Sequence, residues 1–264
     1  MASLGATFRR TRDEVRNWYT VGLLASVVMP TRIPPRRGMA GTWLGRRVVT
    51  FYLRDGSAVK CRLQDAGDLV SVYVERDYAT FPIPWPTLRT IVDAGATTGC
   101  FTLWAHQKAP NARILAIEPN RTVFPFLVEN VRANRLSEQV ETMPVALGAR
   151  AGFADVVDPS YSTFATAIAR SVASTSTVDM TTLEHVLDEA RFSSCDLLKI
   201  DIEGGEYDVL LVADASTLAR IRTIVCEFHP MPNHSVNELV RHLTDNGFRV
   251  SVSGGLLGFI FAER

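Results

Sequence analysis

The hydrophobic and polar positions between residues 90 and 120 predict one strand–helix–strand unit. A short apolar run ends at Asp93 and is followed by a turn of small residues, 95–99. Apolar side chains then recur at helical spacing over residues 100–108, and a second apolar run ends at Glu118. This order of a short apolar run, a glycine turn, an amphipathic stretch and another apolar run is typical of a βαβ unit.

Helical spacing of apolar residues and short apolar or alternating runs also predict the other helices and strands of the chain. Strands with alternating polarity at 48–53 and 58–63 flank a turn, which indicates a hairpin. Thr181 and Glu184 have capping-box spacing, and the Ser/Thr-rich stretch 171–177 is expected to be a surface loop. The other predicted strands are 140–147, 152–157, 196–200, 221–226, 248–252 and 257–261, and the other predicted helices are 10–28, 123–134, 181–190 and 236–246.

Two parts of the chain follow from these elements. Residues 1–86 are expected to hold an N-terminal helix, a linker rich in Pro, Gly and Arg, and a small β-rich cap. Within that cap, residues 69–73 fit either a strand or a short helix. Residues 87–264 are expected to form an α/β domain that binds a cofactor.

The acids at the strand ends indicate the kind of cofactor. A carboxylate about 20 residues past a glycine turn, as Glu118 is, can accept both hydroxyl hydrogens of a ribose. The turn itself reads D-x-G-x-x-x-G from Asp93 to Gly99, where a dinucleotide site has G-x-G-x-x-G. A carboxylate at that place repels a pyrophosphate and suits a ligand with an ammonium group, such as the methionine part of S-adenosylmethionine. The residues expected at the cofactor in this unit are Asp93, Gly95, Ala96, Thr97, Thr98, Gly99, Glu118, Pro119 and Asn120.

Further carboxylates and a histidine follow the later strands. Asp201 and Glu203 come at the carboxyl end of one predicted strand, and Glu227 and His229 at the end of the next. Open α/β sheets bind ligands at this edge, so we expect these side chains to face the same crevice as the cofactor. Asp201, Glu203 and His229 are the catalytic candidates, with His229 favoured as general base by its ordinary pKa. Lys199 is expected to order the site through a carboxylate partner.

A binding site for a divalent metal is a second, weaker hypothesis for the same residues. Asp201, Glu227 and His229 could together bind Mg²⁺, Mn²⁺ or Zn²⁺ with water completing the shell. The sequence therefore allows a metal but does not predict one.

Four segments of the chain resemble the FkbM-type S-adenosylmethionine-dependent methyltransferases. They read IVDAGATTGCFTLWA, AIEPN, KIDIEGGEYDVL and IVCEFHP, and the resemblance runs from about Asp68 to His229. It implies a class I methyltransferase fold: a Rossmann-like, seven-stranded, mostly parallel sheet with an antiparallel strand from the C-terminal hairpin, preceded by the N-terminal helix and hairpin cap. It also implies that Tyr78 covers the cofactor and that Ala146 contacts its adenine. The family usually has Asn where this chain has Thr97.

The resemblance implies methylation of a hydroxyl on a small natural product or sugar, with S-adenosylmethionine as the methyl donor. Two other functions remain open. One is an NAD(P)-dependent oxidoreductase on a Rossmann fold, and the other is a catalytically silent fold of this type that serves as a scaffold.

Composition narrows the partners of the protein. The chain has 264 residues, is 47% apolar and has a formal net charge of zero, so nothing indicates a nucleic-acid-binding surface. Its four cysteines lack C-x-x-C spacing and are expected to be reduced. The apolar run 21–29 is too short to span a bilayer, so we expect a cytoplasmic protein. A homodimer is compatible with the sequence, which does not identify the oligomeric state.

Overall fold

The computed structural model describes residues 10–17, 43–157 and 175–264. Residues 10–14 are helical, but the predicted helix does not continue through 15–17, because Val15 forms an isolated antiparallel bridge with Leu53. Residues 18–28 of that predicted helix, the linker and most of the predicted loop 171–177 lie outside the described residues. Among the helices of the described segments, none is both long and apolar enough to cross a membrane.

The segment before the large sheet begins with the predicted hairpin. β1 (Val48–Tyr52) and β2 (Ala58–Arg62) pair in antiparallel register. The chain then turns helical in α1 (Gly67–Leu69), which continues as π-helical turns over Val70–Glu75, followed by a 3-10 turn at Asp77–Thr80. The predicted hairpin is confirmed, and of the two alternatives for residues 69–73, a strand or a short helix, the structure has the helix. A run of β-branched residues does not distinguish a buried strand from a short buried helix.

The strands and helices that follow alternate as predicted. The strands are β3 (Thr90–Ala94), β4 (Arg113–Ile117), β5 (Val140–Met143), β6 (Ala146–Leu147), β7 (Gly152–Val157), β8 (Thr175–Thr181), β9 (Cys195–Ile200), β10 (Ile221–Phe228), β11 (Arg249–Gly254) and β12 (Gly258–Glu263). The helices are α2 (Cys100–Lys108), α3 (Phe124–Ala133), α4 (Leu183–Glu189), α5 (Glu206–Leu210), α6 (Ala215–Ala219) and α7 (Val236–Asp245).

Within the described part of the chain, seven strands form one sheet in the order β11-β12-β10-β9-β3-β4-β5. The five central strands of the βα units are parallel, and β12 is antiparallel to both β10 and β11. This confirms the predicted mostly parallel sheet with an antiparallel strand from the C-terminal hairpin. It also brings the carboxyl ends of β3, β4, β9 and β10 to one edge, where the candidate residues follow.

Three local predictions were wrong, each for a local reason. The predicted strand 140–147 is broken at Pro144, which has no N–H to donate, and β6 leaves the large sheet to pair with β8. Residues 175–177, expected in a loop, begin β8, which pairs with β7. The cap of α4 is Thr182, whose hydroxyl accepts from the His185 amide, because Thr181 is still paired in β8. Helix α6, capped by Asp214, was not predicted.

The two faces of the large sheet are covered by different parts of the chain. On one face the core joins the cap to the sheet and to α2 and α3, with Phe51, Leu69, Ile91, Leu103 and Leu127 fully buried in one cluster. The other face is covered by α4 to α7. Because cap and sheet share one core, the cap is held in a fixed position over the edge where the strands end.

The turn after β3 approaches β9 closely at Gly95. This residue has φ +76°, and a Cβ built there would lie 1.8 Å from the backbone oxygen of Asp201. Only glycine fits both the left-handed backbone and this contact. The turn and the start of the loop after β9 are thus pressed against each other.

We predict that Gly95→Ala destabilises the fold by about 3 kcal/mol or more, through backbone strain and overpacking together. Denaturant unfolding measures this. Gly56→Ala is the matched control, since Gly56 has φ +98° but no heavy atom within 4 Å of the added Cβ. The control should lose only the free energy of backbone strain, roughly 1–2 kcal/mol. Equal losses for the two variants would mean that the approach to Asp201 does not require glycine.

Candidate functional site

A buried ion pair lies under the glycine turn. Asp93 on β3 and Lys199 on β9 are paired in register, and the Lys199 ammonium lies 3.1 Å from an Asp93 oxygen. The second Asp93 oxygen accepts from the Thr102 hydroxyl at 2.6 Å. Lys199 also donates to the carbonyls of Gly95, at 2.7 Å, and Ala94, at 3.2 Å. The prediction that Lys199 orders the site is confirmed, because its ammonium fixes the first two peptide carbonyls of the turn.

The surroundings of Asp93 give it a structural role. Its side chain has no exposed surface, and its charge is offset by Lys199. Asp93 therefore supports the turn from below, and its expected contact with a cofactor stays a prediction.

Glu118 joins the end of β4 to the glycine turn. One of its oxygens accepts from the Thr97 amide at 2.9 Å, and the other accepts from the Asn120 amide at 2.7 Å. Burial raises the pKa of Glu118 to about 7, while these two amides act to lower it. Each carboxylate oxygen can accept more than one hydrogen bond, so both retain acceptor capacity.

Thr97 holds the turn in a conformation that is unusual for its residue type. It has φ +49°, a left-handed conformation in which a β-branched side chain is strained and Asn is better tolerated. Its side chain is hydrogen-bonded to Asp68 of α1. The threonine thus connects the glycine turn to the cap.

Several other residues predicted at the cofactor turn their side chains into the protein. Thr98 is fully buried, with its hydroxyl 3.6 Å from the Cys100 sulfur. Asn120 is buried, and its side-chain oxygen accepts from the amide and hydroxyl of Thr122. Both side chains are therefore engaged inside the protein. Ala146 lies in β6, away from the large sheet.

A small cavity opens between the cap and the strand ends. Its volume is about 20 Å³, which is room for a group about the size of a water molecule. The Tyr78 ring packs edge-on against Phe101, with centroids 4.8 Å apart, and both rings line the cavity. The residues that line it are Asp68, Ser71, Val72, Tyr78, Gly95, Ala96, Phe101, Lys199 and Asp201.

Asp68 is a site residue that the sequence reasoning missed. It lines the cavity, and burial raises its pKa to about 7, helped by the nearby Asp201 and Asp93 carboxylates and opposed by Thr97 and Lys199. The family resemblance begins at about Asp68 but gives this residue no role. Its place depends on how the cap packs on the sheet.

His229 is surrounded by carboxylates at the end of β10. Its ring Nδ1 lies 3.1 Å from a fully buried oxygen of Glu206, which also accepts from the His229 amide at 2.6 Å. Its Nε2 faces Glu203 at 3.6 Å and Asp201 at 3.9 Å. Although burial lowers the pKa of His229, these carboxylates raise it to about 9. The ordinary pKa that favoured this residue as a base therefore does not apply, and the imidazole is protonated at neutral pH.

Glu206 has two sets of contacts, one at the start of its own helix and one with His229. It begins α5 and accepts from the Gly204 amide at 2.8 Å, while its other oxygen orients His229. The sequence signal for its second role was weak, because the contact joins β10 to a helix 23 positions earlier.

The pKa values of Glu227 and Asp201, the two other carboxyl groups at the strand ends, are also raised. Burial and the charge of Asp201 raise the pKa of Glu227 to about 8, and burial raises the pKa of Asp201, while Lys199 and His229 lower both. Glu203 is exposed at the rim with φ +55°.

The structure does not support the metal hypothesis. No three His, Cys, Asp or Glu side chains in the described segments converge as metal ligands, so Asp201, Glu227 and His229 do not form such a set.

Comparison with known proteins finds a matching protein family. Residues 93–250 match the model of the methyltransferase FkbM domain. The chain is 27% identical over 197 residues to methyltransferase sdnD of Sordaria araneosa, covering 63% of this chain and 76% of that protein. It is 25% identical over 208 residues to 31-O-demethyl-FK506 methyltransferase FkbM of Streptomyces tacrolimicus, covering 68% and 80% respectively.

Two further similarities differ in extent. The chain is 27% identical over 223 residues to AMB antimetabolite synthetase AmbE of Pseudomonas aeruginosa, where the match covers 69% of this chain and only 10% of the synthetase. A crystal structure of methyltransferase FkbM from Methylobacillus flagellatus KT aligns with 99% of this chain and 58% of its own, at 13% identity and a TM-score of 0.48.

We predict that Lys199→Met destabilises the fold by about 3 kcal/mol or more, because it leaves the Asp93 carboxylate buried without its partner. Denaturant unfolding at neutral pH is the measurement. Adding Asp93→Asn to the same chain should recover part of the loss.

Lys60→Met is the matched control. Lys60 pairs with Glu129 at 2.7 Å, but the two side chains are 37% and 51% exposed, so the expected loss is below about 1 kcal/mol. A loss at Lys199 no larger than the loss at Lys60 would contradict a structural role for the buried pair.

Proposed function

The chain belongs to the methyltransferase FkbM domain family, and from this premise we propose that it transfers a methyl group from S-adenosylmethionine to a hydroxyl oxygen of a small molecule. The relative from Streptomyces tacrolimicus is named for an O-demethyl substrate, which favours an oxygen acceptor here as well. We propose residues 87–264 as the catalytic domain and residues 1–86 as its cap.

The observation that carries the proposal is the position of Glu118. Two backbone amides hold its carboxylate at the end of β4, beside the glycine turn, with lone pairs to spare. This is the donor–acceptor chemistry that a ribose diol requires. Gly95 and Ala96 of the turn line the cavity on the other side of Thr97, so a nucleoside at Glu118 would place its far end toward that cavity.

The charges in the cavity fit a methionine group better than a phosphate. Asp68 and Asp201 line it as carboxylates, and the Lys199 ammonium is already shared with Asp93 and two carbonyls. Such an environment attracts a cation and repels a pyrophosphate. It argues against the NAD(P)-dependent alternative on grounds that do not depend on Asp93. The ordered Glu118 and His229 contacts argue against a silent scaffold.

The chain's own residues would handle the proton of the acceptor. The cofactor, when bound, supplies an activated methyl group on a sulfonium. His229 is the proposed base: Glu206 accepts from Nδ1, so in the neutral ring Nε2 carries the lone pair and faces the crevice between Asp201 and Glu203. A positive charge bound beside Asp201 would lower the pKa of His229 and favour this neutral form.

We predict that Glu118→Gln weakens binding of S-adenosylhomocysteine about tenfold or more, since a hydrogen bond to a charged group contributes roughly 1.5–3 kcal/mol. Isothermal titration calorimetry measures the affinity. The wild-type chain should bind this ligand and should not bind NADH.

Glu129→Gln, an exposed substitution of the same type, should leave the affinity unchanged. Binding of NADH alone would overturn the proposed function. Unchanged affinity in Glu118→Gln would remove that residue from the ribose site.

We predict that methyl transfer to a hydroxylated acceptor, once one is found by screening, becomes faster as the pH rises toward about 9. The rate should follow loss of the imidazolium proton, because the surrounding carboxylates raise the pKa of His229 to about 9 and only the neutral ring can accept a proton. His229→Gln should abolish this rise, and His234→Gln, whose ring stacks on Tyr207 outside the crevice, should keep it. A wild-type pH profile in His229→Gln would exclude His229 as the base.

A further inference from the structure

We propose that Asp68 of the cap, together with Asp201, binds the α-ammonium group of the cofactor's amino-acid part. This inference rests on the proposed function and deepens it. It gives a cofactor-binding residue to a segment that lies before the residues matched by the family model, 93–250.

The first argument is position. Asp68 and Asp201 come from different parts of the chain, α1 and the end of β9, and line the same cavity between the cap and the glycine turn. Gly95, which also lines it, lies in the turn whose amide at Thr97 is bonded by Glu118. A ligand whose ribose lies at Glu118 and whose other end enters the cavity therefore meets these two carboxylates.

The second argument is charge. Asp68, Asp93 and Asp201 surround one ammonium, that of Lys199. Lys199 is 3.1 Å from Asp93 and 4.0 Å from Asp201, so its charge is offset mainly by Asp93. The cavity keeps an excess of negative charge among the named groups, and a ligand ammonium would offset it.

The third argument is the shape of the rest of the cavity. The aromatic rings of Tyr78 and Phe101 form part of its wall, and aromatic faces attract cations. Ser71 adds a hydroxyl. The Thr97 side chain bonds Asp68, which orients its carboxylate without neutralising it. Carboxylates, aromatic rings and a hydroxyl around so small a space suit an ammonium group.

The test separates the amino-acid part of the ligand from the nucleoside part. S-adenosylhomocysteine carries the ammonium, whereas 5′-methylthioadenosine shares the adenosine and the sulfur but lacks the amino acid. Asp68→Asn keeps the shape of the side chain and an oxygen for the Thr97 hydroxyl. By calorimetry at pH 7.5, this variant should bind S-adenosylhomocysteine about tenfold more weakly and 5′-methylthioadenosine within about twofold of the wild-type chain.

Asp77→Asn is the matched control within the cap. Asp77 accepts a 2.8 Å hydrogen bond from Ser71 and does not line the cavity itself. This variant should bind both ligands like the wild-type chain, because it changes the cap without changing the charge in the cavity. Asp68→Ser, which also keeps a partner for Thr97, provides a second test if the first variant fails to fold.

The pH dependence gives an independent readout. Protonation of Asp68 below its pKa of about 7 should weaken binding of S-adenosylhomocysteine between pH 7.5 and 6 more than binding of 5′-methylthioadenosine. Glu118 has a similar pKa but faces the ribose, which both ligands share. The excess pH dependence should shrink in Asp68→Asn. The other titratable groups around Asp68 are Asp93, Lys199, Asp201, Tyr78, Cys61 and Cys100.

The outcomes distinguish the two proposals. Equal loss of both ligands in Asp68→Asn, or no loss of either, would overturn the role of Asp68 and leave the proposed function standing. Failure of the wild-type chain to bind either ligand would overturn the proposed function itself. Selective loss of S-adenosylhomocysteine supports both.

Discussion

The Asp93–Lys199 ion pair is the contact on which the site depends. It links the two central strands, β3 and β9, at the edge where both end, and its ammonium also holds the carbonyls of Ala94 and Gly95. A buried charge must be paired and hydrogen-bonded, and here that requirement fixes the backbone of the turn. The close contact between Gly95 and the Asp201 backbone then sets where the next carboxylate lies.

Above this pair the crevice is a set of carboxyl groups with raised pKa values. Asp68 and Glu118 are raised to about 7 and Glu227 to about 8, in each case chiefly by burial. Burial works in the opposite direction on the His229 imidazole, whose pKa is nevertheless raised by the surrounding carboxylates. The site therefore has many protons that can be lost near and above neutral pH. A cation bound there would favour the ionised carboxylates and lower their pKa values.

The sequence predicted what depends on neighbours along the chain. The βαβ unit, the turn and the acids at the strand ends were read from local patterns, and the sheet confirmed them. What it could not predict depends on contacts between distant segments. Asp68 is brought to the cavity by the packing of the cap, and Glu206, 23 positions before His229, is the largest of the contributions that raise the pKa of that histidine. The burial of Asp93 has the same origin, because it follows from the pairing of β3 with β9.

The residues that match the family model and the residues that share the core of cap and sheet are not the same set. The family match ends at residue 250, inside β11, yet the strand between β10 and β11 is β12, which comes later in the chain. At the other end, the apolar side chains Phe51 and Leu69 precede the match and cover one face of the sheet. A chain trimmed to the matched residues would expose an unpaired edge of β10 and a bare apolar face, which are the features that promote aggregation. The segment matched by the family model, residues 93–250, is thus shorter than the segment that folds as one unit.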